Sequence, residues 1–166
     1  MHRRLGIVFA IFAGFASAQA AVAPSVNALA ECRLEYSVAQ GELKKLKVRK
    51  VEDESTLDYD YISTEYDPSK IRSFGLKATR FVYNLYADEG GTSHAIQTEF
   101  ALPYDAARVK LLKALAIEQC VSSDKKTVVR QCQLFFKKSD GGRYALLAEL
   151  KPLATGGSQF ECTYLN

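Results

Sequence analysis

The chain has 166 residues, with 22 lysines and arginines against 19 aspartates and glutamates. Its formal charge of +3 falls to +1 once Arg3 and Arg4 leave with the N-terminal segment described next. So balanced a chain projects no long-range field toward polyanions, which argues against a nucleic-acid partner, and its length suits one domain with an apolar core.

His2, Arg3 and Arg4 precede an apolar run from Leu5 to Ala16, and small residues crowd the stretch up to Ala23. That order reads as a secretory signal peptide over 1–20, cut after Ala18-Gln19-Ala20 so that the mature chain starts at Ala21. The apolar run is twelve residues long, short of the roughly 20 that a spanning helix needs. The expected address is the periplasm or the outside of the cell, with no membrane span in the mature chain.

All four cysteines, Cys32, Cys120, Cys132 and Cys162, fall in the mature part. An even count in an oxidising compartment predicts two disulfides. Of the three connectivities, Cys120 with Cys132 and Cys32 with Cys162 is favoured, the first closing a short loop and the second tying the chain ends. The close CxxC pairs of a structural zinc site are absent, and neither a metal nor any other cofactor is expected.

A flexible leader is expected over 21–31, followed by a single domain over 32–166. In "CRLEYSV" at 32–38, Cys32, Leu34, Tyr36 and Val38 alternate with polar residues, which predicts a half-buried strand, and "AQGE" at 39–42 a turn. "LKVRKV" at 46–51 alternates again, so its basic residues read as the solvated face of a strand. The stretch "DESTLDYDYISTEYD" at 53–67 also reads as a strand, with Leu57, Tyr59 and Tyr61 on one face and Asp58, Asp60 and Ile62 on the other.

"TRFVYNLY" at 79–86, the turn "DEGG" at 88–91 and "SHAIQTEFAL" at 93–102 form a hairpin pattern. Pairing Ala87 with Thr92 sets Leu85 opposite His94, Tyr83 opposite Ile96 and Phe81 opposite Thr98. After Pro103 the period changes: Asp105 is placed to cap a helix over about 105–119, with Val109, Leu112, Ala116, Leu111 and Leu115 as its apolar stripe. Strands are predicted over 128–138, 143–151 and 159–165. Leu134, Phe135 and Phe136, like Leu146 and Leu147, are apolar on both faces, which points to central strands. The sum is an α+β domain: a mostly antiparallel sheet of about six to seven strands, one principal amphipathic helix packed on it, and disulfide support.

No motif names a reaction. His94 is the one histidine of the mature chain, and Ser93 beside it points to the opposite face of a strand. HExxH and glycine-rich phosphate loops are absent, and each GG pair sits between strands. Asp58 and Asp60 have the first spacing of a calcium loop, but Ser63 stands at its glycine position and Ser69 at its bidentate glutamate position.

The sharper signal is the mixture of tyrosines and carboxylates. Amphipathic rings at a hydrogen-bonding rim suit protein interfaces, and acids around them steer a basic partner. Asp58, Tyr59, Asp60, Tyr61 and Tyr66 are therefore candidate binding residues. "DGGRY" at 140–144 resembles, over five residues, the SGxxY loop of bacterial periplasmic lysozyme inhibitors, with Asp140 where that family has serine. That resemblance adds Asp140, Arg143 and Tyr144 to the candidates, although an Asp-Gly hairpin tip followed by a tyrosine accounts for the same residues.

The expected function is an exported binding protein, leaning away from an enzyme: an inhibitor or immunity-type protein for another protein, such as a toxin or an enzyme with a basic cleft. The alternatives are a small hydrolase using carboxylates of 53–67 with His94, and a structural or assembly component of the envelope.

Overall fold

The computed structural model describes residues 25–115, 132–136 and 146–165. The expected signal peptide, Cys120 with its proposed bond to Cys132, and Asp140, Arg143 and Tyr144 lie outside the described residues. In chain order the elements are α1 (Val26–Ala30), α2 (Tyr36–Leu43), β1 (Val48–Asp53), β2 (Tyr59–Tyr66), β3 (Arg72–Ser73), β4 (Leu76–Lys77), β5 (Arg80–Asp88), β6 (Gly91–Phe100), α3 (Tyr104–Leu115), β7 (Cys132–Phe136), β8 (Leu146–Pro152) and β9 (Ser158–Leu165). Seven strands form one antiparallel sheet in the order β1-β2-β5-β6-β9-β8-β7, and β3 pairs with β4 alone. The α+β expectation holds at that level. No helix among the described residues is long and apolar enough to cross a membrane.

The β5–β6 hairpin has the register expected from its turn, with Ala87 opposite Thr92, Leu85 opposite His94, Tyr83 opposite Ile96 and Phe81 opposite Thr98. Because partners across a ladder share a face, that register divides the whole sheet. Tyr66, Phe81, Ile96, Phe160, Cys162 and Tyr164 point to one face and are buried. α1, α2, α3 and the β3–β4 hairpin join these residues in one apolar core through Leu29, Leu43, Leu111 and Leu76. The opposite face carries Tyr59, Tyr61, Tyr86, Arg80, Gln97 and Glu161, and is mostly polar among the described residues, with Val82 buried between them.

Several expectations are corrected. The leader is not flexible over its whole length: Ser25 caps α1, its Oγ accepting from the Ala28 amide at 3.1 Å, and Leu29 and Ala30 are fully buried. α1 ends in a paired-bond cap, with the Arg33 amide donating to the Ala28 carbonyl and the Cys32 amide to that of Leu29. Cys32 therefore takes the left-handed position (φ 58°) that glycine usually fills. A residue so placed cannot begin a strand. The segment read as a strand at 32–38 and a turn at 39–42 instead becomes α2, whose inward positions Tyr36, Ala39 and Leu43 follow helical spacing. Val38, expected inside, is exposed.

α3 begins one residue before the expected cap, so Asp105 sits within its first turn, where a carboxylate complements the helix dipole. Its inward stripe is Tyr104, Ala107, Leu111 and Leu112, while Val109 faces solvent. β7, expected at the centre, lies at the sheet's end and has only β8 beside it among the described residues; β6 holds the middle.

The expected Cys32–Cys162 disulfide is present, spanning 130 positions with Cα atoms 5.6 Å apart. It joins the end of α1 to the centre of β9. The β3–β4 hairpin went unpredicted. Its turn residues Phe74 and Gly75 both have positive φ, the two-residue turn whose twist matches a hairpin. Phe74 accepts that backbone because its ring packs edge-on against Phe160 at 5.0 Å and its amide donates to the buried Glu31 at 2.8 Å.

Candidate functional site

Two side-chain clusters carry chemistry, one on each face of the sheet. On the open face, β2 and β5 bring Tyr59, Tyr61 and Tyr86 together. Tyr61 lies directly opposite Tyr86 in the ladder, and Tyr59 opposite Asp88. The rings of Tyr59 and Tyr86 stack at 5.8 Å with an interplanar angle of 28°. These two stay 37% and 41% exposed, against 8% for Tyr66, so the alternation separates the open face from the core. The Tyr61 hydroxyl lies 3.5 Å from Asn84 Oδ1, at the outer limit of a hydrogen bond. The Asp88 carboxylate accepts from Tyr86 and raises its hydroxyl pKa, keeping the ring neutral.

A shallow hollow of about 210 Å³ beside these rings is lined by Thr56, Leu57, Asp58, Tyr59, Asp60 and Asp88. Leu57 at its lip is fully exposed. The Thr56 hydroxyl accepts from the Asp58 and Tyr59 amides, and the Asp53 carboxylate from the Ser55 amide, so the β1–β2 loop is shaped by its own side chains. Among the described residues no basic side chain forms an ion pair with Asp58, Asp60 or Asp88. The neighbouring Glu65, by contrast, holds Arg80 at 2.8 Å.

Of the expected binding residues, Asp58, Tyr59, Asp60 and Tyr61 share this end of the sheet. Tyr66 does not: it points into the core against Phe81, where burial raises its hydroxyl pKa. Tyr86 and Asp88 were missed, since each reads in sequence as part of a hairpin end. Pairing β2 against β5, and not only β5 against β6, would have placed them.

On the core face, His94 is 6% exposed. Its Nδ1 lies 2.8 Å from the hydroxyls of both Tyr36 and Tyr83, which are 3.1 Å from each other. Gln40 Nε2 donates to Tyr36 at 2.8 Å, and the Tyr36 ring stacks on the imidazole at 4.0 Å. Burial raises the Tyr83 hydroxyl, with help from its bond to Tyr36, so it remains a donor at neutral pH. A hydroxyl donating to Nδ1 requires the neutral ring, and burial lowers the His94 pKa in the same direction. The cluster fastens α2 to β5 and β6. The nearby groove of about 330 Å³, lined by Leu43, Leu46, Val48, Tyr66, Tyr83 and Gln40, opens beside it.

The histidine makes folding pH-dependent with a definite sign. The unfolded chain takes up a proton below about pH 6.5, whereas the folded chain resists until its lower pKa is reached. Stability should thus be full above about pH 6.5 and fall as the pH drops beneath it, by at most about 1.4 kcal/mol per pH unit from this group. Urea unfolding at pH 7.5 and 5.5 should show a smaller difference in His94→Gln than in the native chain. An equal difference in both would remove His94 from the pH response.

Among the described residues no group of three or more His, Cys, Asp or Glu side chains is arranged to hold a metal ion. Comparison of the chain with protein-family models, with curated proteins and with solved structures yields no match.

Proposed function

We propose that this chain is an exported, non-enzymatic binding protein of the inhibitor or immunity type, offering the Tyr59, Tyr61 and Tyr86 patch to a basic surface of another protein in the periplasm or outside the cell. The observation that carries the reading is the stacked, half-exposed pair Tyr59 and Tyr86, standing on the face opposite the core. Tyrosines held by stacking lose little rotamer freedom on binding, and they bring apolar area together with a hydrogen-bonding hydroxyl. The carboxylates of Asp58, Asp60 and Asp88, which form no ion pair among the described residues, favour a cationic partner and speed its approach, an effect that salt screens.

The hydrolase alternative has less support. It needs a carboxylate of 53–67 beside His94, yet the hydrogen-bond partners of His94 among the described residues are two tyrosines.

Reversing both acids in Asp58→Lys/Asp60→Lys should leave the thermal unfolding curve within about 0.5 kcal/mol of native, as expected for exposed sites. The same variant should slow partner association at least tenfold at low salt, on the order expected when steering charges are reversed. Capture from an extract of the exported compartment, quantified against the native chain, provides the readout. Undiminished capture by a folded variant would sink this reading.

A further inference from the structure

Among the described residues β1 is an end strand, hydrogen-bonded to β2 on one side, and all six of its residues are exposed. We infer that β1 is a self-association edge: two copies of the chain pair antiparallel through β1, joining their sheets across a twofold axis at Val51.

The backbone supplies the first constraint. In the β1–β2 ladder the Glu54 amide donates to the Tyr61 carbonyl at 2.9 Å, and the Thr56 amide to that of Tyr59 at 2.7 Å. In an antiparallel pair, bonded and non-bonded positions alternate. Lys50 and Glu52 therefore turn their amides and carbonyls toward β2, while Val51 and Asp53 turn theirs outward. A second strand can bond only to the outward set, and the bulge between Val48 and Lys50 ends the regular edge on that side, so a twofold pairing near the middle of the strand is centred on residue 50, 51 or 52.

Charge selects among these three registers. Centring on Lys50 sets that lysine against its own copy, and centring on Glu52 does the same for the glutamate. Only the Val51 register sets Lys50 opposite Glu52 of the other copy twice over and places the 58% exposed Val51 against its own copy, while Arg49, at the bulge, pairs with Asp67 of its own chain. Lys50 and Glu52 thus carry opposite charges on either side of Val51, an antisymmetric pattern that a twofold axis turns into two attractive pairs. Lys50 and Glu52 already lie on one face, where they pair within the strand, so both side chains stand where cross-strand partners would meet.

Charged edges often serve to keep sheets apart. A row of one sign does that against any copy, whereas this row is complementary to itself in one register. Six residues a side fall short of a standard interface, so the dimer should be reversible and weakened by salt.

Sedimentation equilibrium of the purified protein tests this directly. The native chain should show a concentration-dependent monomer–dimer equilibrium. Lys50→Glu alone and Glu52→Lys alone should each raise the dissociation constant at least tenfold, on the scale of two cross-strand pairs turned from attraction to repulsion. The double exchange Lys50→Glu/Glu52→Lys should restore the native constant. An equimolar mixture of the two single variants should form a heterodimer, because every facing pair is then opposite in sign. A native chain that stays monomeric to about 1 mM, single variants that dimerise like the native chain, or a mixture that fails to associate would each overturn the inference.

Discussion

Replacing Cys32 and Cys162 together by alanine is expected to lower the unfolding free energy by about 5 kcal/mol, the loop-entropy value for a bond spanning 130 residues. Domains of this kind are stable by only about 5–15 kcal/mol, so a large share of the total is at stake. The bond is also structurally placed: both cysteines are buried, and Cys32 occupies the left-handed position that ends α1. Without the bond, α1 is held through contacts such as the Ser73 hydroxyl donating to the Ala30 carbonyl at 2.9 Å, and α2 through the His94 cluster. Urea unfolding of the double variant beside the native oxidised chain measures the loss. A decrease smaller than about 1 kcal/mol would mean that the core alone sets stability.

The second large effect is expected from Phe160→Ala, at about 3–5 kcal/mol. Phe160, the third residue of β9, is fully buried, opposite Thr98 on one side and Leu150 on the other. Its ring supports Phe74, whose positive backbone angle is costly for an aromatic residue. Truncation leaves a cavity and also removes the packing that holds the β3–β4 turn. Amide exchange in residues 72–77 should therefore accelerate more than in β5 or β6, which can be read by hydrogen exchange. Leu57→Ala, at a fully exposed leucine, should by contrast change stability by less than about 0.5 kcal/mol. Equal losses at the two positions would contradict the core assignment.

The parts of the fold legible in the sequence are those in which local pattern and turn chemistry agree. Phe81 to Phe100 alternate in step on both sides of a glycine-bearing turn, so the hairpin register followed residue by residue. The Cys32–Cys162 bond was legible because four cysteines make an even set to pair and these two lie toward the two ends of the chain. The segment at 32–43 misled because its first seven residues alternate. What decides its structure lies partly outside that window: a cap on α1 that turns the chain at Cys32, and the inward set Tyr36, Ala39 and Leu43 that runs past it. β3 and β4 have two residues each, too few for any period. The β6–β9 pairing joins residues from Phe100 with Ser158 to Ser93 with Leu165, far apart in the chain, so no local signal marks it, and the position of β7 at the end of the sheet follows from that pairing.

The candidate site was legible in the same partial way. Strand phase separated Tyr59 and Tyr61 from Asp60 and Ile62, as the ladder with β5 has it. The same phase puts Tyr66 on the other face, where a tyrosine five positions from Tyr61 becomes core. Tyr86 and Asp88 belong to the patch only because β2 lies against β5, a contact between segments about twenty-five positions apart.

The central claim, that the open tyrosine face meets a partner, is tested most directly by site-specific photocrosslinking. A benzophenone amino acid is placed at Tyr86, and as a control at Val109, which is more accessible still on α3. Irradiation in the exported compartment should join position 86 to one discrete protein, and the Asp58→Lys/Asp60→Lys exchange should abolish that product, while position 109 gives none. The same products from both positions, or none from position 86, would contradict it.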